Sequence, residues 1–134
     1  MSTSRDVDVL RRAFDAWNEG AFEEWKAMHH EDVVVIPPPG WPEGEPAPNR
    51  DAWFTQAMRL TDSWEEQQIE IDELREVGAG RVLAAFRWVT RGKGSGIELA
   101  TPLASISTVR DGRIARQEYF STREAALEAL EGAA

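Results

Sequence analysis

Hydrophobic positions along this chain repeat first at a helical spacing and later at a strand spacing. Between residues 5 and 19, Val7, Leu10, Phe14 and Trp17 recur at three- and four-residue steps with charged residues between them. That spacing predicts an amphipathic helix. Ser4 or Thr3 suits its cap, Asp6 its positive dipole end and Gly20 its stop. Phe22, Trp25 and Met28 predict a second, short helix running to His29, and Val33 to Ile36 a short buried strand. A third helix begins at Asn49, with Trp53, Ala57 and Leu60 on one face and Phe54 and Met58 alongside. From Trp64 onward the period drops to two. Strands are predicted over 64–77, 81–90, 97–109 and 113–120, followed by a short helix capped by Ser121 or Thr122. Helices followed by a run of strands predict a single α+β domain over residues 1–134, with three N-terminal helices packed on the concave side of a curved sheet.

The last three strands form a meander. Gly92, Gly94 and Gly96 break the first turn, and Arg110-Asp111-Gly112 makes the second. A three-residue loop pairs Val109 with Arg113 and sets Ala104 opposite Glu118. Alternation then gathers Ala84, Phe86, Trp88, Ala100, Pro102, Ala104, Ile114, Arg116, Glu118 and Phe120 on one face. Small side chains on the middle strand, with aromatics and a charged pair beside them, predict a hollow rather than a filled core. The other face carries Leu83, Ala85, Val89, Leu99, Leu103 and Tyr119 among polar residues. It is too apolar for simple solvation, so a second copy of the chain is expected to cover it, giving a homodimer through the outer sheet face.

Residues 37–48 hold six of the seven prolines, a density that no helix or central strand tolerates. They predict a stiff extended loop whose one large apolar group is Trp41. Two readings stay open: a connector whose Trp packs over a sheet edge, or a mouth over the pocket.

Composition narrows the function classes. The net charge of −9 argues against nucleic acid and anionic membranes as partners. Without Cys there are no disulfides, thiolate nucleophiles or Cys-ligated metals. The start MSTSRDVD lacks an apolar signal core, and no apolar run approaches membrane-spanning length, so a cytoplasmic location is expected. There is no phosphate loop, dinucleotide fingerprint or nucleophile elbow, and no cofactor is expected. His29 and His30 are adjacent at a helix end and point apart, with no further ligand spaced to join them, so no metal site is expected. His29 shares a side with Trp25, which leaves its reach into a pocket open.

The chemistry-bearing candidate is Glu118. In an apolar pocket its carboxyl would become a usable general acid or base. The alternative is a structural ion pair with Arg116 two residues away, or Arg116 orienting a ligand. Trp17, Trp53 and Trp88, with Phe14, Phe54 and Phe86, come from the first helix, the third helix and the meander. With Trp41, Ala100, Pro102, Ala104 and Phe120 they are the expected walls of a site for a flat hydrophobic ligand.

The stretches AFDAWNEGAFEEW, HHEDVVVIPPPGW, NRDAW and STVRDGRIARQEYFSTREAALEAL resemble the nuclear transport factor 2-like superfamily, most closely its SnoaL-like, polyketide-cyclase-like branch. The resemblance covers nearly the whole chain and implies a conical α+β barrel: a mixed, mainly antiparallel curved sheet around the helices, with a deep apolar pocket and dimerisation through the outer sheet face. Function is not implied at the same level, since this fold hosts isomerases, cyclases, hydrolases and non-catalytic proteins. Where ketosteroid isomerases carry a base, an oxyanion-binding acid and a Tyr, this chain has Ile36, Ala104 and Ala13. Of the Asp-Arg-Asp, Tyr and Asn set of limonene epoxide hydrolases, only the last-strand acid is matched, by Glu118. The resemblance therefore implies either cofactor-independent acid/base chemistry of cyclase, isomerase or hydratase type on a hydrophobic cyclic or aromatic substrate, or ligand binding without turnover. A dimeric partner-binding module with a vestigial pocket is the third possibility.

Overall fold

The computed structural model describes residues 5–41 and 45–132. Its elements are α1 (Arg5–Asn18), α2 (Phe22–Ala27), β1 (His29–Ile36), α3 (Arg50–Asp62), β2 (Trp64–Gly78), β3 (Arg81–Gly92), β4 (Glu98–Arg110), β5 (Arg113–Phe120) and α4 (Arg123–Gly132). The five strands form one sheet in the order β1-β5-β4-β3-β2, with β1 parallel to β5 and every other pair antiparallel. The predicted α+β architecture is present, with α1 and α3 against β2 and α2 joining α1 to β1. Asn49 caps α3 by accepting from the Ala52 amide at 2.8 Å, and Thr122 caps α4 by accepting from Ala125 at 3.0 Å. The expected cap of α1 at Thr3 or Ser4 lies outside the described residues.

One boundary moves. β1 starts at His29, before the apolar run at Val33, because the Ile114 amide donates to the Met28 carbonyl at 2.8 Å and His29 pairs with Ile114. Strand pairing captures the backbone before hydrophobicity does.

The registers of both hairpins also differ from expectation. Across β3–β4, Phe86 faces Leu103 and Ala84 faces Ser105. Across β4–β5 the connection is a two-residue turn, Asp111 and Gly112, both at positive φ (54° and 76°). That is the mirror-image turn whose twist suits a hairpin. Val109 therefore pairs with Ile114 and Thr108 with Arg116, leaving Ala115 as the extra residue of a bulge. The inner face consequently carries Ala84, Phe86 and Trp88, then Leu103, Ser105 and Ser107, then Ile114, Gln117 and Tyr119. Ala100, Pro102, Ala104, Arg116, Glu118 and Phe120 lie on the outer face. A one-residue slip between β3 and β4 turns the middle strand over relative to its neighbour.

The outer face is covered in part by the chain itself. Leu83, Ala104 and Ala126 are buried there, with Val77, Ile106, Phe120 and Leu127 packed around them under α4. Arg123 at the start of α4 reaches Glu73 of β2, which holds that carboxyl below its usual range.

The helical layer is fixed to the sheet edge at Asn18. Its Nδ2 donates to the Ile69 carbonyl at 2.9 Å, and its Oδ1 accepts from the Ile69 amide at 2.7 Å. A side-chain amide here takes the place of a neighbouring strand on β2, the edge strand of the sheet. Asn18→Ala leaves both backbone groups unpaired and is expected to cost about 2 kcal/mol, read by urea denaturation. An unchanged midpoint would mean that the helix layer is held by packing alone.

Candidate functional site

Between α1, α3 and the inner face lies a cavity with about 100 Å³ open to the centre of a water molecule. Aromatic side chains form a large part of its wall, among them Phe14 and Trp17 from α1, Trp25 from α2, Trp53 from α3, and Phe86 and Trp88 from β3. Their rings contact one another edge-on or tilted. Trp25 is the hub, with Trp17, His29 and Trp53 at centroid distances of 4.9, 4.8 and 5.8 Å. Such tilted contacts are the geometry that ring quadrupoles favour, and they fix the wall without filling the centre.

The proline-rich loop reaches this wall. Pro37, Pro38 and Trp41 line the cavity, and the Trp41 ring stacks on Trp88 at 5.6 Å. Trp88 is held in turn by its indole N–H, which donates to Gln67 Oε1 at 2.8 Å. Further along, Ala47 exchanges two backbone hydrogen bonds with Val35, so the loop returns to the sheet before α3 begins. Of the two readings of this loop, a wall of the pocket is where the structure puts Trp41.

Among the described residues, no Asp, Glu, Lys or Arg lines the cavity. Its polar side chains are His29, Gln56, Gln117 and Tyr119. His29 opens β1 and is 1% exposed. Its Nδ1 lies 2.9 Å from the Trp25 carbonyl. A carbonyl only accepts, so Nδ1 carries the proton and the lone pair of the neutral ring is on Nε2. Burial lowers the imidazole pKa to about 4, against the opposing effect of its backbone hydrogen bonds, and the nearby Arg50 cation adds to the lowering. Arg50 Nη1 donates to the His29 carbonyl at 3.3 Å, tying the start of α3 to this residue.

Two of the other polar groups, Tyr119 and Gln117, belong to a hydrogen-bonded chain. Tyr119 Oη donates to Gln117 Oε1 at 3.0 Å, and Gln117 Nε2 donates to Ser107 Oγ at 3.0 Å. Burial holds the Tyr119 phenol above its usual pKa, so it stays protonated at neutral pH. The site thus presents a neutral imidazole and a neutral phenol inside an aromatic cage. It can bind an apolar ring and exchange a proton at one nitrogen.

The expected site residues divide between the two faces. Phe14, Trp17, Trp41, Trp53, Phe86 and Trp88 line the cavity. Phe54 sits outside the lining and packs on Trp25 at 6.2 Å, with Lys26 over its ring. The remaining nominations are corrected. Glu118 and Arg116 form an ion pair at 3.7 Å on the outer face, their side chains 38% and 53% exposed. Ala100 and Pro102 are exposed, while Ala104 and Phe120 pack beneath α4. Glu118 is therefore not a pocket acid: the sheet separates it from the cavity. The sequence does not mark Trp25 as the hub or Gln117 and Tyr119 as lining residues, and it leaves the reach of His29 into the pocket open. Trp25 and His29 stand four residues apart and were legible as sharing a side. The inward turn of Gln117 and Tyr119 depends on the bulge at Ala115, which no alternation pattern marks. Among the described residues no three His, Cys, Asp or Glu side chains converge as metal ligands.

Because His29 binds its proton near pH 4 when folded and near 6.5 when unfolded, the unfolded chain holds more protons between those values. Stability is then complete above pH 6.5 and falls as the pH drops toward 4, by on the order of 3 kcal/mol in total. Urea denaturation of wild type and His29→Gln at a series of pH values tests this. The variant is expected to lack that part of the slope, and identical slopes would remove His29 as its source.

Comparison with known proteins places this geometry. Solved structures of similar fold include TerC co-crystallised with polyporic acid, at 17% identity over 95% of this chain and 98% of that one, with a TM-score of 0.77. A nuclear transport factor 2-like protein of unknown function from Burkholderia pseudomallei aligns at 17% identity over 96% and 98%, TM-score 0.78. A protein from Catenulispora acidiphila with a ketosteroid isomerase-like fold, in complex with trimethylamine, aligns at 15% identity over 95% and 92%, TM-score 0.75. Identities this low establish the fold and not the chemistry. No curated protein sequence matches the chain. The family model of the SnoaL-like domain matches residues 10–117. With that match and the conical α+β fold, the chain belongs to the SnoaL-like family.

Proposed function

We propose that this protein binds a flat, hydrophobic cyclic or aromatic molecule in the cone and moves a proton on it without a cofactor, with His29 as the proton acceptor. The observation that carries the proposal is a single one: a neutral imidazole, its Nδ1 held by the Trp25 carbonyl, in the lining of an aromatic cavity whose described lining has no charged side chain. Apolar walls supply binding energy through burial, and the imidazole is already neutral at physiological pH. The co-crystal of TerC with polyporic acid supports the idea that this fold accepts an organic ligand.

A second reading, binding without turnover, is favoured by the depressed pKa of His29, which makes it a weak base. Native mass spectrometry of freshly purified protein is the deciding first step, because it names a retained molecule without prior choice. With that molecule as substrate, His29→Phe is expected to lower turnover by about 100-fold or more, while Glu118→Gln leaves it unchanged. Quenching of Trp fluorescence with no product in either protein would establish the binder instead.

The proposal includes a homodimer. The part of the outer face that α4 leaves open carries Val89, Ala100 and Pro102 beside Arg87, which is itself paired with Glu70 and Asp72. A second copy over this area completes the cover that a two-sided apolar sheet needs. Sedimentation is expected to give twice the chain mass for wild type and the monomer for Ala100→Arg. A monomeric wild type at micromolar concentration would remove the dimer from the proposal.

A further inference from the structure

We infer that the cavity selects an uncharged ring compound bearing a hydroxyl or enol O–H, which donates its hydrogen bond to His29 Nε2. This rests on the small-molecule reading above and specifies the ligand for the same site.

The polarity of the lining carries the inference. Nδ1 of His29 is committed to the Trp25 carbonyl at 2.9 Å, so the remaining ring nitrogen accepts and cannot donate. His29 lines the cavity, and the backbone hydrogen bonds of its ring run to the Trp25 and Lys26 carbonyls. Tyr119 is committed in the same sense. Its proton goes to Gln117 Oε1, and Gln117 is oriented by Ser107, so the phenol oxygen offers lone pairs to the cavity side of the network. Two of the four polar side chains in the lining thus present acceptors. An ether or a simple ketone has nothing to give them, whereas a hydroxyl does.

Charge is excluded by the walls. A carboxylate or ammonium would enter without a counter-charge among the described lining residues, and its lost hydration would not be replaced. The recognised class is therefore a neutral phenol or enol, the proton donor that an acid/base site of this kind would act on.

Three probes of one ring size separate the possibilities by isothermal titration calorimetry at pH 7: 2-naphthol, 2-methoxynaphthalene and 2-naphthoate. The naphthol is expected to bind about tenfold more tightly than its methyl ether, because only it pairs Nε2. The naphthoate is expected to bind at least about tenfold more weakly than the naphthol. In His29→Leu the preference for naphthol over the ether is expected to fall to near one. Should that variant not fold, nitrogen-15 spectra of wild-type His29 serve instead. They are expected to show the Nδ1-protonated tautomer, with the Nε2 resonance moving on addition of naphthol and not on addition of the ether. Equal affinity for naphthol and ether, or tightest binding of naphthoate, overturns the inference while leaving a hydrophobic pocket in place. Failure of all three probes to bind overturns the pocket reading itself, and this inference with it.

Discussion

Aromatic rings packed among α1, α2 and the sheet hold these elements at their distance, and the rest of the molecule follows from that spacing. Trp17 and Phe14 on the helix meet Trp25, Phe22 and Phe86 at centroid separations of 4.9–5.5 Å. Rings pack on edges and faces and cannot interdigitate as aliphatic side chains do. A helix resting on such rings stands off from the strands behind them. The clamp of Asn18 on Ile69 then prevents the helix from sliding away from the edge strand. A gap bounded by rings is the result, and the cavity is that gap.

The same arrangement decides the chemistry. Burial that makes the cage apolar also strips water from His29, and the imidazole answers by losing its affinity for a proton. Its Nδ1 hydrogen bond to the Trp25 carbonyl of α2 fixes the tautomer. The end of a short helix, the first residue of an early-starting strand and an arginine from the next helix all converge on one side chain. None of these is a catalytic motif in sequence. Together they keep the ring neutral at pH 6.5, where an ordinary exposed histidine would be half-protonated.

The sheet has two working faces with different partners. Inside, aromatic walls and a few uncharged polar groups enclose space. Outside, α4 covers one end over Leu83 and Ala104, and the other end carries ion pairs such as Arg87 with Glu70 and Asp72. The charged residues expected in the pocket belong to this second surface. An exposed pair such as Arg116 and Glu118 contributes little to stability and nothing to the cavity.

By itself the sequence determined the elements and their order. The helical stripe of Leu10, Phe14 and Trp17 was legible, as were the alternation in each strand, the turns at Gly80 and Gly112, and the aromatic residues with no other place to go. Family resemblance added the cone. Only the tertiary structure decided which face of β4 and β5 turned inward. Side chains alternate with a period of two, so a shift of one residue across the β3–β4 turn exchanges Ala104 for Leu103 and Ser105 without altering either pattern. The bulge at Ala115 then sets Ile114, Gln117 and Tyr119 on one side despite their unlike parity. Local preference cannot choose between two such faces when both are partly apolar. The choice falls to whatever must cover them, and here that was the aromatic side of α1 within and the small stripe of α4 without.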